Sequence, residues 1–385
     1  LAGVVNIVTK DGASLNGYQV TAGAGNYGQL KTSVLYGTEF DVGHDLLLWA
    51  DTYRAAGEKV FIPASQDYSR TPQDSTAIVD GAFDPYSFDV GLQYRRDRLS
   101  VLASRRRGKL TEPFSGGGVT GESYNYDDYR TASGIGPGLA STSSHLEVGY
   151  KAVESGRFDA NAKVYFDEND LNGFLVTNPS VQAQAMVQWN EWDVGGILET
   201  DTRYDLGGAG HGSVLAGAEV DRMELVDSIF LVGSAGNWTG VGDSPENQLL
   251  DKGQETIYSA FTQVTHYLTD QGLTLNAGAR YDIKDRHLGD SVSAFSPRLA
   301  AVYTPTRNVI LKLSYGESFV DAPYWYRYNS LASYGGSENL QPERLRALQF
   351  SPTVSFLGGR LTNTLNVYYQ DAFDLIFRNN TAMGT

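Results

Sequence analysis

From Gly17 almost to its end, this 385-residue chain alternates apolar with polar side chains in segments of about ten residues. Short turns rich in Gly, Asp and Asn and longer irregular loops separate the segments in strict succession. Alternation at period two gives each strand one oily and one wet face. A soluble protein packs the oily face into a core. A chain this regular can instead turn it toward lipid, and short turns at one end with long loops at the other fit an outer-membrane β-barrel. The expected fold class is therefore all-β, a transmembrane antiparallel β-barrel.

Composition narrows the alternatives. No window approaches 18 consecutive apolar residues, so a helical membrane protein is excluded. The net charge of −15 argues against nucleic acid as a partner, which requires a basic face. With no cysteine, disulfides, thiolate metal sites and cysteine nucleophiles all drop out. Only 19% of residues are charged and 24 are tyrosine, unlike a soluble α/β enzyme. A soluble β-sandwich or propeller is the competing fold, and no blade-length repeat supports the propeller.

Strands are expected over 18–24, 30–40, 46–55, 87–96, 99–109, 144–154, 158–168, 192–206, 213–224, 255–268, 273–285, 295–303, 309–319, 345–357 and 361–377, roughly fifteen in all. Long loops are expected from 56 to 85, 110 to 142, 169 to 191, 226 to 254 and 320 to 344. In Leu273–Asp285, Leu273, Leu275, Ala277, Ala279 and Tyr281 oppose Thr274, Asn276, Gly278, Arg280 and Asp282. In 192–206, Trp192, Val194, Leu198 and Tyr204 oppose Asp193, Glu199, Asp201, Arg203 and Asp205, and Leu311 and Leu313 oppose Lys312 in 309–319. A charge facing hydrocarbon costs about 2–4 kcal/mol at mid-bilayer. Asp193, Glu199, Asp201, Arg203, Arg280 and Lys312 are therefore expected to line the lumen. Tyr94, Tyr204, Tyr281 and Tyr315 suit interfacial girdles. An odd strand count cannot return both chain ends to the periplasm, so a fragment of a longer barrel is expected.

Four stretches in the right order resemble the TonB-dependent outer-membrane receptor family. Ala2–Lys10 (AGVVNIVTK) is similar to the closing strand of that family's plug domain, and Gly23–Gly28 with its flanks to its first barrel hairpin. Ala294–Phe319 resembles its SPR strand and the strand after it, and Asn339–Arg344 (NLQPER) its NLxPE segment. The resemblance implies a 22-stranded barrel filled by an N-terminal plug. Residues 1–12 would then be the end of the plug and residues 13–385 a partial barrel. The TonB box and most of the plug would lie outside this sequence.

Catalytic chemistry is poorly supported. The histidines (His44, His145, His211, His266, His287) are dispersed without metal-ligand spacing. No P-loop or dinucleotide fingerprint occurs, and Gly116–Gly118 lacks a following lysine and helix. No catalytic, metal or cofactor residue is expected; His266, within a strand, reads as structural. Binding is better supported. One long loop clusters Tyr124, Tyr126 and Tyr129 with Arg130, another Tyr324, Trp325, Tyr326 and Tyr328 with Arg327. Such rings grip planar or apolar ligands and an adjacent Arg pairs a carboxylate; the same tyrosines would equally serve a girdle or pack loop on loop. Arg105 and Arg107, if outward, would meet lipopolysaccharide phosphates, and Arg106 on the other face would tune the lumen potential. The resemblance implies an outer-membrane receptor that imports a scarce nutrient, a ferric siderophore first among candidates, with the TonB complex, outer-membrane lipid and lipopolysaccharide as partners. The alternative is a passive pore without plug or energy coupling.

Overall fold

The computed structural model describes residues 10–66, 74–79, 87–111, 129, 136–178, 183–234, 237–240, 248–268, 272–330 and 336–377. The opening residues 1–9, and with them nearly all of the plug-like motif, lie outside these, as do Tyr124, Tyr126 and Arg130.

A short helix, α1 (Gly12–Leu15), precedes nineteen strands: β1 (Gly17–Ala24), β2 (Leu30–Asp41), β3 (His44–Arg54), β4 (Glu58–Ile62), β5 (Ser75–Val79), β6 (Ser87–Arg96), β7 (Leu99–Thr111), β8 (Gly138–Glu154), β9 (Phe158–Asn178), β10 (Ala183–Asp205), β11 (His211–Ser234), β12 (Asn237–Gly240), β13 (Gly253–Leu268), β14 (Leu273–Asp285), β15 (Val292–Thr306), β16 (Val309–Val320), β17 (Glu343–Phe356), β18 (Leu361–Thr364) and β19 (Val367–Phe373). Between β16 and β17 lies a second helix, α2 (Tyr324–Tyr328). Among the described residues, seventeen strands form one sheet, and β4 pairs β5 separately. The short β12 is a flap on β11, and β18 and β19 are two parts of one strand on β17. Setting aside the flap and merging those parts leaves fifteen wall strands of the seventeen, which matches the period-two reading.

Each wall strand pairs antiparallel with its chain neighbour, and among the described residues the sheet does not close: there β1 pairs only with β2, and β18 and β19 only with β17. Tight turns sit at one end. Gly43 takes the left-handed conformation between β2 and β3, and Asp97 does so between β6 and β7, where a short polar side chain tolerates it. The stretch 169–191 is not the expected loop. β9 and β10 pair from Thr202↔Phe158 to Ala183↔Asn178, and β10 and β11 pair to Ala183↔Ser234. The tall hairpins so formed rise above their neighbours at the long-loop end.

The two faces differ as alternation requires. On β10 the side chains of Val194 and Leu198 are 43% and 55% exposed. On the same face, Phe166 of β9 is in register with Val194, and Val164 of β9 and Val220 of β11 flank Gly196 between the two. The opposite face carries paired charges. His145 and Asp167 lie 2.8 Å apart, Lys163 and Glu147 2.9 Å, and Arg280 meets Glu219 at 2.9 Å and Asp282 at 2.8 Å. Residues 10–16 dock on this charged, inner face. Gly12 sits so close to Leu46 that a Cβ would come within 2.3 Å of its carbonyl oxygen. Asp11 caps α1 through Ser14 N–H at 2.7 Å and pairs Arg95 at 2.7 Å. Arg95 also holds the buried Asp45 at 2.9 Å.

Candidate functional site

At the long-loop end, two loops fold over the inner face of β11, β13 and β14. The first step is local. Pro323, in extended conformation, precedes α2 and fixes the entry to its single turn. Helical spacing sets Tyr324 over Tyr328, four residues on, with ring centroids 4.5 Å apart and edge-to-face. Arg327 projects against both rings, 4.6 Å from the Tyr328 centroid and 5.8 Å from that of Tyr324.

The guanidinium then meets the wall. Arg327 donates to both carboxylate oxygens of Glu255 on β13, Nη2 to Oε2 at 2.8 Å, and its Nε donates to the Ala322 carbonyl at 2.8 Å. The side chains are 1% and 2% exposed. Lys284 of β14 bridges Glu255 at 2.7 Å and Asp321 at 3.0 Å, and Arg286 pairs Asp321. Three cations thus hold two carboxylates, and every buried charge has an opposite neighbour, the condition for tolerating burial. Burial raises the Asp321 carboxyl, but Arg286, Lys284 and Arg327 outweigh it and hold it below the usual range. Burial, reinforced by Glu255, raises the Tyr324 phenol, which stays neutral at physiological pH.

The second loop, 248–251, is stitched to the first. Asp251 N–H donates to Tyr328 O at 3.0 Å, Ser330 N–H to Leu249 O at 2.9 Å, and Tyr324 O–H to Asp251 O at 2.7 Å. Leu249 and Leu250 bury against Val187 and Leu225, with Trp189, Phe230, Tyr324 and Trp325 packed around them. The tall β10–β11 hairpin supplies that apolar floor, and the loops form an inward cap.

The candidates from sequence divide accordingly. Arg327 and Tyr328 are consumed by the clamp, and Trp325 by the apolar floor, so these three hold the loop in place. Tyr324 is shared between clamp and floor, and Tyr326 is exposed. Tyr129 is buried with its ring 6.5 Å from Phe174. Asp193, Glu199, Asp201, Arg203, Arg280 and Lys312 fall on the face that carries the paired charges, with Arg203 3.3 Å from Asp159. Arg106 donates to Ser143 at 2.9 Å and Arg105 to Ser144 at 3.2 Å, on opposite faces. Both ring nitrogens of His266 are engaged, by Tyr204 at 3.0 Å and the Ala209 carbonyl at 2.9 Å. Glu255, Lys284, Arg286 and Asp321 escaped the sequence reading. Period-two alternation places Glu255 and Lys284 on one face, yet the bond from Arg327 to Glu255 spans 72 residues.

Sequence and fold agree with one family. The family described as TonB dependent receptor-like, beta-barrel matches residues 17–385. The chain belongs to that family. TonB-dependent receptors are outer-membrane transporters of bacteria, not enzymes. Among solved structures, the chain is similar to the ferric citrate transporter FecA in its unliganded form, with 14% identity and a TM-score of 0.60 over 92% of this chain and 50% of that one. It is similar to a double mutant of the Serratia marcescens hemophore receptor HasR in complex with its hemophore HasA and heme, with 14% identity and a TM-score of 0.61 over 92% and 53%. The ferric-catecholate import receptor Fiu from E. coli K12, in its closed form, shows 11% identity and a TM-score of 0.61 over 93% and 58%. At these identities the likeness is one of fold, and the chain spans about half the length of the structures it matches. No curated protein matches the chain.

Proposed function

We propose that this chain forms the wall and part of the outer cap of a receptor that captures a scarce nutrient at the cell surface and imports it into the periplasm, with a ferric siderophore as the leading ligand class. The observation that carries this reading is the inward cap. A long loop is pinned over the inner face by the Arg327–Glu255 pair and leaves Tyr326 exposed. A cap held this firmly suits capture of one ligand better than free diffusion of many. The similar structures are a ferric citrate transporter, a hemophore receptor with its hemophore and heme, and a ferric-catecholate import receptor, all of iron-bearing cargo, which supports this reading. Energy coupling through the TonB complex, and contact with lipid and lipopolysaccharide at Arg105 and Arg107, belong to the same proposal.

The docked segment around Asp11 weighs against the passive pore, because it occupies inner-face surface that an open channel would leave to water. Uptake of radioactive iron as a ferric siderophore, by cells carrying the full-length protein as their one such receptor, separates the two. Uptake abolished by a proton-motive uncoupler supports the receptor. Uncoupler-insensitive entry of small neutral solutes, with no saturable iron uptake, supports the pore and overturns the proposal.

A further inference from the structure

Between Lys10 and β1 the chain changes abruptly in how it is held. Lys10 reaches the wall by an exposed bond, Nζ to Gln19 Oε1 at 3.3 Å. Asp11 begins a series of closer ties. Ser14 N–H donates to Asp11 Oδ1 at 2.7 Å and Asp11 N–H to Ser14 Oγ at 3.1 Å, a capping box that closes residues 11–14 into one turn. Asp11 pairs Arg95 of β6 at 2.7 Å, and Gly12 N–H donates to Asp45 of β3 at 3.0 Å. Arg95 grips the same Asp45 through Nε at 2.9 Å and Nη2 at 3.2 Å. Backbone then lies on backbone. A Cβ at Gly37 of β2 would come within 2.8 Å of both the Gly12 carbonyl oxygen and Leu15 Cβ, so α1 rests flat where only glycine leaves room. The chain leaves through Asn16, left-handed at φ 37°, and Gly17, which pairs opposite Gly37 to begin β1.

We propose that residues 11–16 are a fixed anchor, a mechanical stop between β1 and the chain that precedes them. During import the chain up to Lys10 moves while the anchor stays docked. This rests on the import reading. A pull arriving along the chain from its N-terminal side meets Asp11 before it meets β1. Asp11 and Gly12 divert it sideways through Arg95 and Asp45 into β6 and β3, which pair with each other from His44↔Arg96 to Tyr53↔Ser87. Asp45 is buried, so these ties open only with the loss of buried contacts. Without the stop, the same pull would fall on the end of a strand. It would peel Gly17 from Gly37 and Tyr18 from Tyr36, one ladder pair at a time.

The test is a reversible lock. A Cβ at Gly37 stands 2.8 Å from that of Leu15, within about 1 Å of the separation a disulfide needs. Leu15→Cys with Gly37→Cys, in the full-length protein with any other cysteine replaced, lets oxidation fix the segment to β2 and a reductant free it. Barrel folding is checked by heat-modifiable gel mobility. Uptake of ferric siderophore by energised cells should stay within twofold when the lock is closed. A larger fall on oxidation, restored by reductant, overturns the proposal, because the segment must then leave the wall. A second readout does not need the lock. Single cysteines at Asn6 and Ala13 are labelled with a small maleimide in energised and in uncoupled cells supplied with ferric siderophore. Asn6→Cys should label faster in energised cells, and Ala13→Cys at one rate in both. Faster labelling at Ala13, or at neither position, overturns the proposal. Uptake by the reduced protein that an uncoupler leaves untouched, or no uptake at all, counts instead against the import reading, and is seen before any lock is closed.

Discussion

Replacing Arg327 by Met isolates the clamp. The substitution keeps an unbranched side chain between Tyr324 and Tyr328 but strands Glu255, whose side chain is only 2% exposed. Removing one member of a buried ion pair costs about 3–5 kcal/mol. Lys284 still contacts Glu255 at 2.7 Å, which argues for the lower end of that range. A loss of about 3 kcal/mol shifts the balance between docked and released loop by on the order of a hundredfold. The readout is hydrogen exchange of the full-length protein in detergent. The amides of Asp251, Tyr326, Ser330 and Ser337 make their bonds within or between the two capping loops, so they should exchange on the order of a hundredfold faster. Amides in the β13–β14 ladder should be unaffected. Arg327→Met combined with Glu255→Leu removes both charges and leaves Lys284 with Asp321 at 3.0 Å, so protection should largely return. Unchanged protection in the single variant, or a double variant as open as the single, would refute the reasoning.

Other consequences follow from the same geometry. The Arg95 guanidinium and the Ser14 N–H hold the Asp11 carboxyl down to about 2. A lowered carboxylate stabilises docking above its ordinary pKa of 3.8 and loses that effect as pH falls through about 2. Exchange of residues 10–16 should accelerate between these values, and Asp11→Asn should remove the dependence. Gly12→Ala would drive a methyl to 2.3 Å from the Leu46 carbonyl oxygen. The segment should lift from the wall, seen as deprotection of residues 12–16 without loss of barrel folding. On β10, Leu198→Lys should cost about 2–4 kcal/mol in urea titrations of bilayer-inserted protein if the residue faces mid-bilayer. The neighbouring Glu199→Gln should change stability by less than about 0.5 kcal/mol, as for a surface change away from buried features.

Much of the wall was legible because alternation is a local signal that survives in every strand. The β9–β10 hairpin was not. Asn169, Asp170, Asn172 and Gly173 are turn-forming residues that argue for a loop. Pairing on both sides overrides them, with β8 reaching Gly138↔Phe174 and β10 reaching Ala183↔Asn178, and Phe174 and Val176 bury in the process. The aromatic loop was located correctly by composition, but the fate of Arg327 was hidden. An arginine among tyrosines looks the same whether it awaits a carboxylate on a ligand or already holds one from a distant strand. Here the carboxylate is Glu255, two strand pairs upstream in sequence and adjacent in space. Lys312 shows the reverse: its face could be read from Leu311 and Leu313, whereas its cross-strand neighbours Val302 and Ser351 emerge only from the pairing.

The central claim is that the charged face looks into a water-filled lumen and the apolar face into lipid. None of the 385 residues is cysteine, so single cysteines can be introduced cleanly. Along β10, cysteines at 193, 199 and 201 and at 192, 194 and 198 would be treated, in intact outer membranes, with a small water-soluble maleimide. The account expects the first three positions to label and the second three to stay protected, in step with the strand's period of two. Labelling without that alternation, or with the faces reversed, would contradict it.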